Sequence, residues 1–162
     1  MPARFYPAEF DPKLILSQIG LVQSLVYIGS GLWLLLLNGL AGRPASSIGL
    51  GQMFSYKAIG LSHSGGWISI IAAFLNSLIG GCILCIVVER AKKCLDFAAT
   101  VHIFHLCGCT LYEGFPDSWE WWTINLVSLT VMALLGEYLC MRREMAEIPL
   151  DSVGRMFSGR EV

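Results

Sequence analysis

The residue pattern that most suggests catalytic chemistry is a pair of cysteines inside an apolar segment. Cys82 and Cys85 form a CxxC motif. Membrane thiol oxidoreductases of the vitamin K epoxide reductase type pass electrons from such a motif to a second cysteine pair in a lumenal loop. The long loop of this chain, residues 41–66, has no cysteine, so electrons have no route to an oxidising compartment. We therefore predict that the chain is not an enzyme. Its thiols are interpreted as buried or unreactive, with palmitoylation of Cys94 or Cys140 beside the membrane as the alternative.

Two histidines suggest a metal site, but their spacing argues against one. His102 and His105 share one helix face, and Asp96 or Glu137 would have to complete the set of ligands. At 1.5 Å per residue, His105 lies about 18 Å from Lys93 along a helix axis, whereas both acidic residues lie near the end of a helix. Ligands of one ion lie about 2 Å from it. We predict no metal, no other cofactor and no catalytic residue.

These residues lie on four long apolar segments, which we predict to be membrane-spanning helices at 14–40, 67–88, 95–112 and 121–141. The chain has 162 residues, of which 55% are hydrophobic and 14% charged, whereas soluble domains carry about 25% charged residues. The run between Lys13 and Arg43 has no charge and, as a helix, exceeds a hydrocarbon core of about 30 Å. The sequence predicts an all-α, integral membrane four-helix bundle, with residues 1–162 forming one domain.

Lysine and arginine are distributed unevenly between the two sides of the predicted bundle. The side that holds both termini has nine of the eleven basic residues: Arg4, Lys13, Arg90, Lys92, Lys93, Arg142, Arg143, Arg155 and Arg160. The opposite loops hold only Arg43 and Lys57. Because cytosolic loops carry the excess of basic residues, we predict that both termini and the tail 142–162 are cytosolic. The net charge of −1 argues against nucleic acid as a partner.

The loop at 41–66 is then lumenal and is rich in glycine and serine. Its middle is apolar enough to lie on the membrane surface. A flexible connector is the alternative interpretation.

Several small or polar residues inside the predicted spans indicate how the helices pack. In lipid, helices associate through small side chains and interhelical polar contacts. Ser77 and Gly81 belong to a stripe of small residues spaced four apart, which we predict to be a packing face; a homodimer interface is the alternative. Gln23, His102 and His105 are predicted to be buried polar residues that bond between helices. The alternative is that they line a conducting cavity, which would make the chain a small transporter or channel.

Charged residues just inside the predicted cytosolic ends suggest a partner-binding site. Asp96 and Glu137 each lie within one or two turns of basic residues. One interpretation is a set of ion pairs that fixes the depth of the helices. The other is a polar rim around a cytosol-facing groove, able to orient a ligand that inserts between helices. From this placement alone we predict that Lys93, Asp96, Glu137 and Arg142 bind a partner.

Six segments, in order, resemble one family of small Golgi-resident membrane proteins, called Sys. They are DPKLILSQ (11–18), ERAKKCLDF (89–97), VHIFHL (101–106), FPDSWEWW (115–122), EYLCMRRE (137–144) and EIPL (147–150). The resemblance implies a four-span protein of the trans-Golgi network. It also implies a receptor that recruits an Arf-like small GTPase whose N-terminus is acetylated rather than myristoylated. Recruitment would lead to a second Arf-like GTPase and to GRIP-domain golgins, and so to vesicle tethering and protein transport.

Overall fold

The chain folds as a bundle of helices, and the computed structural model describes residues 12–44, 49–61 and 64–146. Its α-helices are α1 (Pro12–Leu40), α2 (Leu50–Phe54), α3 (Ser64–Val87), α4 (Cys94–Glu113) and α5 (Trp119–Ala146). Single 3₁₀ turns lie at Tyr56–Ala58 and Ala91–Lys93. The predicted cytosolic residues Arg4, Arg155 and Arg160, and the resembling segment at 147–150, lie outside the described residues.

Four of these helices are long and apolar enough to cross a membrane, in the part of the chain that the structure describes. They are α1, α3, α4 and α5, and the described residues contain no strand. The all-α, four-helix prediction is confirmed. A helix satisfies its own backbone hydrogen bonds, which is what allows these segments to lie in lipid.

The four long helices alternate in direction along the chain, so that their ends lie at two opposite ends of the bundle. Gln18 near the start of α1 bonds the carbonyl of Val87 at the end of α3, at 3.0 Å. The thiols of Cys94 and Cys140 join the start of α4 to the end of α5. We call this face the basic end. The opposite face, which holds Trp121 and the described loop residues 41–44 and 49–61, is called the tryptophan end.

Close packing between α3 and α5 depends on glycine. A methyl group added at Gly81 would lie 2.9 Å from the Cβ atom of Leu135, closer than real Cβ atoms approach. On α5, a methyl group at Gly136 would lie 3.2 Å from the Cβ atom of Leu84. Glycines on both helices therefore let the two backbones approach, which is how helices gain contact in lipid.

We expect Gly81→Ala to destabilise the bundle, because Leu135 would collide through its Cβ atom, which cannot rotate away. Overpacking of this kind costs about 1–3 kcal/mol. The matched control is Gly20→Ala on α1, because no atom lies within 4 Å of its added methyl group. Thermal unfolding in detergent should show a lower midpoint for Gly81→Ala alone. Equal midpoints for the two variants would contradict the close α3–α5 packing.

Candidate functional site

The four residues predicted to bind a partner are all exposed at the basic end. Lys93 immediately precedes α4, Asp96 is in its first turn, and Glu137 and Arg142 are near the end of α5. Among the described residues, none of the four forms an ion pair within 4 Å. The structure therefore does not bring them together by direct contact, and their role stays a prediction.

Other charged residues make the contacts at this end. Glu89 lies 3.4 Å from Arg143, and a carboxylate oxygen of Glu144 accepts a hydrogen bond of 3.1 Å from the backbone N–H of Ala91. Both contacts are exposed, so each adds little stability. They nevertheless tie the end of α5 to the turn between α3 and α4. These two contacts were not predicted from the sequence. The helical turn that starts at Ala91 could have indicated the second one, because its first N–H groups need hydrogen-bond acceptors.

One face of the last turns of α5 is amphipathic and uncovered. At 100° per residue, five residues fall within an arc of about 140°: Glu137, Met141, Met145, Tyr138 and Arg142, in that order around the helix. The three in the middle are large and apolar, with exposed fractions of 56% for Tyr138, 44% for Met141 and 61% for Met145. A carboxylate borders them on one side and a guanidinium on the other. We call these five residues the α5 terminal surface.

The length of α5 places the last turn of this surface, with Met141, Arg142 and Met145, beyond the lipid interior, and Glu137 and Tyr138 at its boundary. Its 28 residues extend about 42 Å, against about 30 Å for the hydrocarbon core. Trp119, at the start of α5, is 81% exposed, as an interfacial tryptophan would be. If Trp119 lies at that interface, the turn from Met141 to Ala146 projects from the membrane at the basic end.

A groove between α4 and α5 is also present, but it lies away from the basic end. It has a volume of about 250 Å³ and extends from Ala99 and Leu129 toward Trp121 and Trp122 at the tryptophan end. None of the four predicted rim residues lines it. A groove at the predicted rim therefore stays a prediction, and the uncovered feature described at this end is a helix surface.

The predicted buried polar residues lie around a cavity in the middle of the bundle. The cavity has a volume of about 90 Å³ and is lined by residues from all four long helices, among them Gln23, Asn76, Ser77, His102, His105 and Asn125. Gly81 lies one turn beyond Ser77, in the contact with α5. The cavity thus brings together Gln23, Ser77, His102 and His105, all predicted from the sequence to be buried or packing residues, with Asn76 and Asn125 beside them.

Hydrogen bonds within the cavity wall use only part of its polar groups. The amide of Asn76 donates to the carbonyl of Val26 at 3.2 Å, which links α3 to α1. Ring nitrogen Nδ1 of His102 lies 2.9 Å from the carbonyl of Ala98. Both amide atoms of Gln23 and the Oδ1 atom of Asn76 are buried, with no partner among the described residues. The wall therefore offers unused donors and acceptors.

The loop after α1 closes the tryptophan end of this cavity. The Phe54 ring, at the end of α2, lies 5.5 Å from the ring of Tyr27 and 5.9 Å from that of His105. Gln52 accepts a 3.1 Å hydrogen bond from the buried amide of Asn38. Beneath α2 is a second chamber of about 60 Å³. The described part of the loop is thus packed onto the bundle, which neither interpretation of the sequence had anticipated.

An ion pair holds the same loop from outside. Lys57 lies 2.8 Å from Glu113 at the end of α4. The hydrogen bond with this carboxylate raises the pKa of Lys57, so the lysine is charged at neutral pH. The ion pair is exposed, so it fixes the position of the loop on α4 more than it stabilises the fold.

The cysteines differ in how accessible they are. All six lie within the described residues and are free; Cys82 is exposed and Cys85 only partly buried. Cys94 and Cys140 are buried with their sulfur atoms 3.5 Å apart, so neither is accessible to palmitoylation in this conformation. Among the described residues, no group of three or more metal-ligating side chains is positioned to hold an ion.

Comparison with known proteins gives a consistent family match. A family profile, SYS1, described as "Integral membrane protein S linking to the trans Golgi network", matches residues 5–150. A SYS1 homolog from Nematostella vectensis is 43% identical over 152 residues, which are 94% of this chain and 95% of the relative. One from Dictyostelium discoideum is 43% identical over 142 residues, 88% of this chain and 60% of the relative. SYS1 of Saccharomyces cerevisiae is 27% identical over 95 residues, which are 59% of this chain and 47% of the relative. No solved structure matches.

Proposed function

Because the chain belongs to the SYS1 family of integral membrane proteins linked to the trans-Golgi network, we propose that it is a receptor for an N-terminally acetylated Arf-like small GTPase. Recruitment of the GTPase would support vesicle tethering and protein transport. The structural observation that carries the proposal is the α5 terminal surface, which has an apolar centre, is bordered by opposite charges, and extends from the boundary of the hydrocarbon core outward.

An acetylated GTPase needs a protein receptor for a physical reason. Even a myristoyl chain gives only marginal membrane binding, and an acetyl group buries far less apolar area. Acetylation removes the positive charge of the amino terminus, which would be costly to bury. The receptor must therefore supply both affinity and location.

The chemistry of the α5 terminal surface suits an amphipathic N-terminal helix. Met141 and Met145 are flexible apolar side chains that adapt to a partner's shape. Glu137 and Arg142 border them with opposite charges and would set the partner's orientation. Asp96 and Lys93 at the start of α4 are the further charged groups that we assign to this interface, which makes it a rim on two helices.

We expect Glu137→Lys to weaken GTPase recruitment by at least about tenfold, since interfacial charge pairs couple by about 1.5 kcal/mol or more. The matched control is Glu120→Lys, the same change on the same helix in the first turn of α5. Recruitment of a fluorescent GTPase to Golgi membranes is the measurement, with receptor level and location recorded for each variant.

A second variant keeps this test independent of charge. Met141→Ala combined with Met145→Ala removes the apolar centre of the surface without touching a buried residue. If both well-expressed variants recruit the GTPase as the unaltered receptor does, the assignment of the α5 terminal surface is wrong. Equal loss with Glu120→Lys would mean that the effect is not local to the basic end.

The proposal also requires the basic end to face the cytosol, where the GTPase is. We expect protease treatment of sealed microsomes to remove epitope tags from both termini, because the excess of lysine and arginine marks the cytosolic side. A tag placed in the loop after α1 is the control and should be protected. Protection of either terminal tag would refute the orientation.

A small transporter or channel is the second candidate, favoured by the polar cavity between the four helices. A flux measurement distinguishes the two candidate functions. A receptor should give no flux of ions or small neutral solutes through proteoliposomes above that of empty vesicles. Specific flux that is lost when Ser77, on the cavity wall, is replaced by leucine would favour the transporter.

A further inference from the structure

The central cavity has more hydrogen-bonding capacity than its own walls satisfy. The amide nitrogen and oxygen of Gln23 and the Oδ1 atom of Asn76 are buried without a partner among the described residues. Buried polar atoms in folded proteins are almost always bonded to protein or to ordered water. In this region of the bundle bulk water is excluded by lipid, so an occupant of the cavity has to supply the missing bonds.

The unpaired atoms define the chemistry of that occupant. The Gln23 oxygen and Asn76 Oδ1 need a donor, whereas the Gln23 nitrogen needs an acceptor. A cation would serve only the oxygens and an anion only the nitrogen. Among the described residues that line the cavity there is no aspartate, glutamate, lysine or arginine, so a charge there would be uncompensated. The occupant is neutral and both donates and accepts.

The size of the cavity then selects water. A water molecule occupies about 30 Å³ in the liquid, so a cavity of about 90 Å³ accommodates about three molecules at that density. We propose that the central cavity binds a cluster of ordered water molecules that bridges α1, through Gln23, to α3, through Asn76. This site is independent of the α5 terminal surface.

The surroundings indicate where the cluster ends. Toward the basic end, the wall residues Val101 and Met132 belong to a closely packed apolar core that continues to Cys94 and Cys140. Toward the tryptophan end, the second chamber shares Ser30 and His105 with the first and is covered by α2. The water is thus confined between an apolar core and a covering loop.

X-ray radiolysis tests the proposal, because it generates hydroxyl radicals from water where the water is bound. The whole protein in lipid nanodiscs would be irradiated and its oxidised residues identified by mass spectrometry. We expect Met132, which is only 1% exposed, to be oxidised several-fold faster than Cys140, which is equally inaccessible but lies in the apolar core. Cysteine reacts readily with these radicals, so slow oxidation of Cys140 shows that radicals formed in bulk water do not reach side chains buried in the bundle.

Two variants locate the water. Ser128 lines the cavity and is buried, so Ser128→Leu should fill it and reduce oxidation of Met132 to the rate of Cys140. Thr130→Leu, two residues away and exposed, should leave the rate unchanged. If Met132 in the unaltered protein is oxidised no faster than Cys140, the proposal is overturned, and this comparison needs no variant to fold. Unchanged oxidation of Met132 in folded Ser128→Leu would place the water elsewhere and also overturn it.

Discussion

The fold depends on close approach between α3 and α5, because helices in lipid gain nothing from the hydrophobic effect when they associate. Gly81 and Gly136 allow this approach, and the bulkier side chains of Leu84 and Leu135 fill the space beside them. With α3 held against α5 on one side and α1 on the other, Asn76 and Ser77 necessarily lie between helices. The polar cavity is therefore a consequence of the same packing that holds the bundle together.

The two halves of the bundle are built differently. The half nearer the basic end has a continuous apolar core in which Val22, Leu84 and Phe97 are buried. The other half has polar cavities, aromatic contacts around His105, and a covering loop. A close-packed core resists deformation, so the end of α5 projects from the stiffer half. A rigid helix end loses less entropy when a partner binds, which favours placing the receptor surface there.

The sequence predicted what depends on composition and on position along one helix. Long charge-free runs predicted the four spans, and the polar residues predicted to be buried within them, Gln23, His102 and His105, are brought to one cavity by the structure. It did not predict the docking of α2, whose five residues are too few for a periodic pattern. Of the two interpretations of Asp96 and Glu137, the one as local ion pairs is not realised among the described residues. Glu89 and Glu144 make the contacts instead, since the turn between α3 and α4 sets which residues are neighbours.

Exposure alone does not distinguish the proposed receptor surface from lipid-facing residues of α5; depth in the membrane does. Leu134 and Met145 lie on the same helix and are both 61% exposed. Measured from Trp119, Leu134 lies about 22 Å along α5 and Met145 about 39 Å, against a hydrocarbon core of about 30 Å. Leu134 is therefore solvated by lipid and needs no partner, whereas Met145 faces water or the polar interface. An amphipathic helix of the GTPase that covers Met145 would bury apolar surface from water and contact the membrane at the same time. Affinity and location would then arise from a single contact.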